Sequence, residues 1–153
     1  MREEELFGFG LVLADGDIVF ESDGGTKQLS LARGKRNLIQ ALTLRVLTPF
    51  GSDIFNTTYG LDVERAFTEA HGVGVVKQII QLNLVRTLAT DPRVRDVRDV
   101  LFADDPDFLA KHPELDNPAK FVRDVRRLRR WEVEVVLDLV NDQNVTLSVG
   151  VGV

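Results

Sequence analysis

The sequence predicts an α+β protein, with two main helices packed on a small mixed or antiparallel sheet that ends in a C-terminal β-hairpin. Two segments carry apolar residues at helical spacing, and from Trp131 onward the apolar period becomes two. The third observation is bulk: 153 residues, 44% hydrophobic and 28% charged, match one ordinary globular domain spanning 1–153. A domain of that size removes roughly 70% of its unfolded surface from water, so it needs no covalent staples.

Residues 1–33 read as an N-terminal extension or a small hairpin. Gly10 to Leu13 and Asp17 to Glu21 are short extended pieces separated by Ala14-Asp15-Gly16, whose Asp-Gly pair favours a tight turn. Ser22-Asp23-Gly24-Gly25 then reads as a loop. Leu38, Leu42 and Val46, with Ile39 and Leu47 widening the stripe, predict a helix from Lys35 to Thr48. Pro49, Gly51, Asn56 and Gly60 break that pattern, and the apolar Phe50, Ile54, Phe55 and Tyr59 predict that the irregular segment is a buried loop.

A short helix is expected from Asp62 to Ala70. A longer one is expected from Val73 to Thr90, where Val76, Ile79, Ile80, Leu84, Val85 and Leu88 share a face. Pro92 disfavours helical geometry at Asp91 and stops it. Val94, Val97, Val100 and Phe102 then lie in an extended segment, and the acidic, proline-containing stretch from Ala103 to Pro118 reads as surface loop. Ala119 to Arg130 reads as amphipathic, with Phe121, Val125 and Leu128 on one face.

Trp131, Val133, Val135, Leu137 and Leu139 alternate with Glu132, Glu134, Val136, Asp138 and Val140, the pattern of a half-buried strand. After a turn at Asn141-Asp142-Gln143-Asn144, Val145, Leu147, Val149, Val151 and Val153 alternate with Thr146, Ser148, Gly150 and Gly152. These two strands make the terminal hairpin.

Composition narrows the chemistry. The chain has no cysteine, which excludes disulfides, thiolate metal sites and thiol nucleophiles. Met1-Arg2-Glu3-Glu4-Glu5 is acidic where a signal peptide would be basic, and no apolar stretch approaches the ~18 residues needed to span a bilayer. Cytoplasmic synthesis without membrane insertion is therefore expected. A net charge of -5 argues against nucleic acid as a partner. Between Lys120 and Arg130, however, six basic residues meet one acidic residue. That run marks Arg126, Arg127, Arg129 and Arg130 as candidate contacts for an acidic protein surface.

No metal, cofactor or catalytic residue is assigned. His71 and His112 have no ligand-spaced neighbours, and Asp104, Asp105 and Asp107 lack the glycine and closing glutamate of a calcium loop, so they read as a solvated cluster. Gly72-Val73-Gly74-Val75-Val76-Lys77 comes after a helix and lacks the spacing of a phosphate loop. No Gly-x-Ser-x-Gly occurs, and Glu132 and Glu134 fall on the outward face of their strand, where a raised pKa is not expected.

Three stretches, taken in order, carry a resemblance. The first is Asn37-Leu38-Ile39-Gln40-Ala41-Leu42-Thr43-Leu44-Arg45-Val46-Leu47-Thr48-Pro49-Phe50-Gly51, with Thr58-Tyr59-Gly60 after it; the second runs from Ile79 into Asp91-Pro92-Arg93-Val94; the third is the terminal hairpin. Together they resemble the lysozyme-like baseplate wedge family of contractile tails, the sheath initiators of phages, type VI secretion systems and extracellular injection particles. Asp91 stands where the family usually has Glu, and Gly51-Ser52-Asp53 where it often has Gly-Glu-Arg.

The resemblance implies structural work rather than catalysis, in six copies at the base of a contractile tube. The implied partners are baseplate wedge proteins, sheath subunits, and hub or inner-tube proteins. Asp91, Pro92 and Arg93 become the expected wedge-binding residues. Val145, Thr146, Leu147, Ser148 and Val149 become the expected sheath-binding strand, and the residues themselves suit that role, because Val145 to Val153 contains no charge to deter strand addition. Two alternatives stand beside this reading: a peptidoglycan hydrolase, after the family's lysozyme-like label, and a tube-end tail protein.

Overall fold

The structure is a computed structural model that describes residues 2–69, 71–128 and 131–152. It is α+β, and the chain divides into two compact units, Met1–Leu42 and Thr43–Val153. Helix α2 (Lys35–Leu47) runs across the division.

The N-terminal unit opens with α1 (Glu3–Phe7) and continues as six short strands: β1 (Phe9–Leu11), β2 (Leu13–Ala14), β3 (Asp17–Ile18), β4 (Phe20–Asp23), β5 (Thr26–Leu29) and β6 (Leu31–Arg33). β2 pairs with β3, β4 with β5, and β1 with β6, all antiparallel. Of the hairpin expected around Asp15-Gly16, Leu13–Ala14 and Asp17–Ile18 do pair, whereas Gly10 and Leu11 pair with β6 and Phe20 and Glu21 with β5. Ser22–Gly25 is not a plain loop but the tip of a second hairpin, because Gly24 and Gly25 both take positive φ, as Asp15 and Gly16 do, and two such residues make the tight turn that suits strand twist. The three paired arms meet at a ring of backbone hydrogen bonds. Val12 N–H donates to the Ser30 carbonyl, Ser30 N–H to Val19 and Val19 N–H to Val12, at 2.9, 2.9 and 3.0 Å. Each of the three residues gives one bond and takes one, so the strands change partner there without orphaning a buried peptide group. Asn37 and Gln40 on α2 hold this unit together by bonding the backbone of Phe7, Leu11 and Leu13.

The second unit adds α3 (Glu64–Thr68), α4 (Val73–Leu88), β7 (Val94–Phe102), α5 (Pro106–Lys111), α6 (Pro118–Leu128), β8 (Trp131–Leu139) and β9 (Asn144–Val151). Its sheet is antiparallel in the order β7-β8-β9. The period-two pattern puts Trp131, Val133, Val135, Leu137 and Leu139 of β8 in the core, together with Val145, Leu147, Val149 and Val151 of β9. α4 packs against β7 with Ile80, Leu84 and Leu88 buried. Phe102 meets Trp131 edge-on at 6.1 Å, linking β7 to the start of β8.

Four further expectations need correction. Ala103 to Pro118 is not all surface loop, since it contains α5, whose Phe108 is buried. The aspartates ahead of it are not simply solvated, since Asp104 is buried in ion pairs. The loop after α2 is not buried at its tip: Ile54 and Phe55 are 82% and 94% exposed. On α6, Leu128 is 66% exposed although its spacing puts it on the expected apolar face, and the side chain of Val125 lies outside the described residues, as do Arg129, Arg130 and Val153. Among the described residues, no helix is long and apolar enough to cross a membrane.

Candidate functional site

The first two resembling stretches, far apart in sequence, meet in the second unit. Pro49 and Leu61 form a parallel bridge, and Leu61 N–H donates to the Thr48 carbonyl at 2.8 Å, closing residues 49–60 into a loop. Only glycine fits at Gly60: its φ is +108°, and a Cβ there would sit 2.5 Å from the Thr48 carbonyl oxygen and 2.8 Å from that of Pro49. The Gly60 carbonyl accepts from Thr87 Oγ1 at 2.7 Å, which fastens the loop to α4. The Arg45 guanidinium lies 4.5 Å over the Tyr59 ring and donates to Thr90 Oγ1 at 2.8 Å.

Asp91 comes directly after Thr90 and is only 5% exposed. Its carboxylate accepts from Arg93 three times, from the backbone N–H at 3.0 Å, from Nε at 2.9 Å and from Nη2 at 2.8 Å. Burial by itself would raise the Asp91 carboxyl, but the Arg93 bonds outweigh it and hold the group below the usual carboxylate range. The expected wedge-binding residues therefore form a clamp with its own internal job. Arg93 neutralises a buried charge, and its side chain remains 26% exposed. Pro92 is exposed between them.

The terminal strands are more open. In the β8–β9 turn, Leu139 N–H donates to the Gln143 carbonyl at 2.8 Å, with Asp142 at φ 61°. Because bonded and non-bonded pairs alternate in an antiparallel ladder, this sets the phase: Leu137/Val145, Val135/Leu147, Val133/Val149 and Trp131/Val151 are the bonded pairs. On the other side of β8, Ala103 N–H donates to the Glu132 carbonyl, as the same phase requires. The side chains of Val145, Leu147 and Val149 are buried and their peptide groups face β8. The backbone groups turned outward are those of Thr146, Ser148 and Gly150.

The sheet's other edge is protected. β7 carries register shifts between Val94 and Asp96 and between Val97 and Asp99, and it exposes Arg95, Asp96, Arg98 and Asp99. Arg98 pairs with Asp138 at 2.9 Å, and Arg95 pairs with Asp142. Bulges and charges of this kind deter edge-to-edge pairing. β9 has neither, since its register against β8 is unbroken from Asn144 to Val151 and it carries no charged residue.

The basic stretch before β8 is partly occupied within the fold. Arg126 donates to Asp104 Oδ2 from Nε and Nη2 at 3.2 and 3.1 Å, and Arg127 lies 3.7 Å from Asp124. Lys77 reaches the other Asp104 oxygen at 2.7 Å and also bonds Asp105. Burial would lower the Lys77 ammonium, but these carboxylates raise it above its ordinary value. His112, stacked on Phe108, bridges Glu114 and Glu134 at 2.7 Å each. Its imidazole is raised, chiefly by the bond to Glu114 and then by Glu134.

Sequence reasoning missed the exposed tip of the 49–60 loop. Asp53 Oδ1 accepts from the N–H groups of Phe55 and Asn56, so Ile54 and Phe55 are presented on an ordered turn. The signal was Asp53 itself, whose carboxylate favours a local turn over burial of the next two residues. Compared with known proteins, the chain matches no family model, and it matches none of the curated proteins.

Proposed function

We propose that this protein is a structural baseplate component of a contractile tail or injection particle. In this reading it joins baseplate wedges and hub to the first sheath ring, and it templates sheath assembly by accepting a strand at β9. The observation that carries the reading is the asymmetry of the three-stranded sheet: β7 is bulged and charged, whereas β9 has outward backbone groups at Thr146, Ser148 and Gly150 that no described residue pairs, on a regular, uncharged edge. The clustering of Arg45, Tyr59, Thr90, Asp91 and Arg93 adds support for the wedge contact, because it joins the two other resembling stretches into one surface.

The test uses Thr146→Pro and Ser148→Pro, with folding checked by circular dichroism. Each removes an outward donor and leaves the β8 ladder intact. At least one variant is expected to enter baseplates normally and leave naked tubes without sheath. Full-length sheath on folded variants of both kinds would exclude β9 as the attachment point.

A further inference from the structure

Along β9 the outward backbone groups lead to a groove of about 410 Å³ at the strand's C-terminal end. Its lining includes Leu47, Phe50, Leu61 and Val63 together with Gly150 and Val151 of β9. Val151 turns its side chain into the core, so the next strand out would direct side chains of the same facing toward this groove. Leu47 and Phe50 are 58% and 49% exposed, which is unusual for two large apolar residues lining one cleft. Asp62 and Glu64 also line it, and neither carboxylate has an ion-pair or hydrogen-bond partner among the described residues.

We propose that this groove reads the side chains of the strand added to β9. It selects an extended peptide that places a large apolar residue level with Gly150–Gly152 and a lysine or arginine two residues from it, on the same face, toward Asp62 and Glu64. The proposal rests on the reading of β9 as the open edge. An extended chain is the fitting occupant because the groove continues a row of unpaired peptide donors and acceptors, which only another backbone satisfies along its length. Basic character comes from two carboxylates with no cation of their own among the described residues.

The probes are fluorescein-labelled octapeptides of alternating valine and threonine, carrying near one end, two residues apart so that both face the groove, leucine and lysine, leucine and glutamate, or aspartate and glutamate. Binding is read by fluorescence anisotropy, with the ends exchanged so that both strand directions are sampled. The leucine–lysine peptide should bind the native protein at least about tenfold more tightly than the aspartate–glutamate peptide, the effect of burying one large apolar side chain. Leu47→Ser and Phe50→Ser, at exposed positions, should remove the part of that advantage owed to leucine, and Asp62→Lys combined with Glu64→Lys should remove the preference for the leucine–lysine over the leucine–glutamate peptide. Ser148→Pro should weaken every peptide. Equal affinity of the leucine–lysine and aspartate–glutamate peptides for the native protein, with Ser148→Pro still weakening both, would overturn the groove proposal and leave the open edge standing. Undiminished binding of the leucine–lysine peptide to Ser148→Pro would overturn strand addition itself, and no binding by any peptide would overturn both.

Discussion

Reversing the charge at Arg93 separates a surface contact from a structural clamp. If Arg93 only faced a partner, Arg93→Glu would change stability by less than about 0.5 kcal/mol. Asp91, however, is 5% exposed and takes two of its three hydrogen bonds from the Arg93 guanidinium. Breaking a fully buried pair costs about 3–5 kcal/mol, and the Arg93 side chain is 26% exposed, so water screens part of the loss. A loss of roughly 2 kcal/mol is expected, which for a unit of this size lowers the Tm by roughly 5–12 °C. The assay is thermal and urea unfolding of Arg93→Glu, Arg93→Gln, Asp91→Asn and the Asp91→Asn/Arg93→Gln pair. The pair should recover much of the Arg93→Gln loss, because no buried charge is left alone. The depressed folded-state pKa of Asp91 stabilises the protein above the unfolded-state value near ~3.9, and that stability is lost as the pH falls through the folded value. This acid limb should shrink in Arg93→Gln. Unfolding of Arg93→Glu indistinguishable from the native protein would refute the clamp. If the clamp holds, a baseplate defect in Arg93→Glu reports instability as well as lost contact, and Arg93→Lys becomes the cleaner probe of the wedge surface.

Proline scanning of β9 should give an alternating result: Thr146→Pro and Ser148→Pro stay within about 1 kcal/mol of native stability, whereas Leu147→Pro, which removes a bond to β8, loses about 3 kcal/mol or more, all read by urea unfolding. Equal losses at all three positions would show that the ladder phase is misassigned. Lys77→Met should destabilise by roughly 2 kcal/mol in the same assay, because among the described residues it leaves the buried Asp104 with Arg126 as its remaining ion-pair partner, and Asp104→Asn in that background should restore part of the loss. His112 is raised in the folded state, so its contribution is complete below the unfolded-state value near ~6.5 and is lost as the pH rises through the folded value. Tm measured between about pH 5 and 9 should therefore fall more on the alkaline side in the native protein than in His112→Gln.

The local patterns of the sequence determined a good deal. The period of two from Trp131 onward placed five β8 residues in the core, because a pleated strand turns alternate side chains to one face whatever its neighbours are. The helix-spaced Ile80, Leu84 and Leu88, and the stop at Pro92, likewise needed only backbone geometry. Tertiary structure alone decided that β8 is central and β9 lies at the edge, since both strands have the same alternation and only the pairing of β8 with β7 tells them apart. It decided which β9 peptide groups face outward, because one bond at the Asp142 turn sets the phase. It also decided that Asp104 is buried against Lys77, 27 residues away, and that Ile54 and Phe55 are exposed. Charge pairing and burial depend on what the chain brings together over long separations, and composition within a short window carries no record of that.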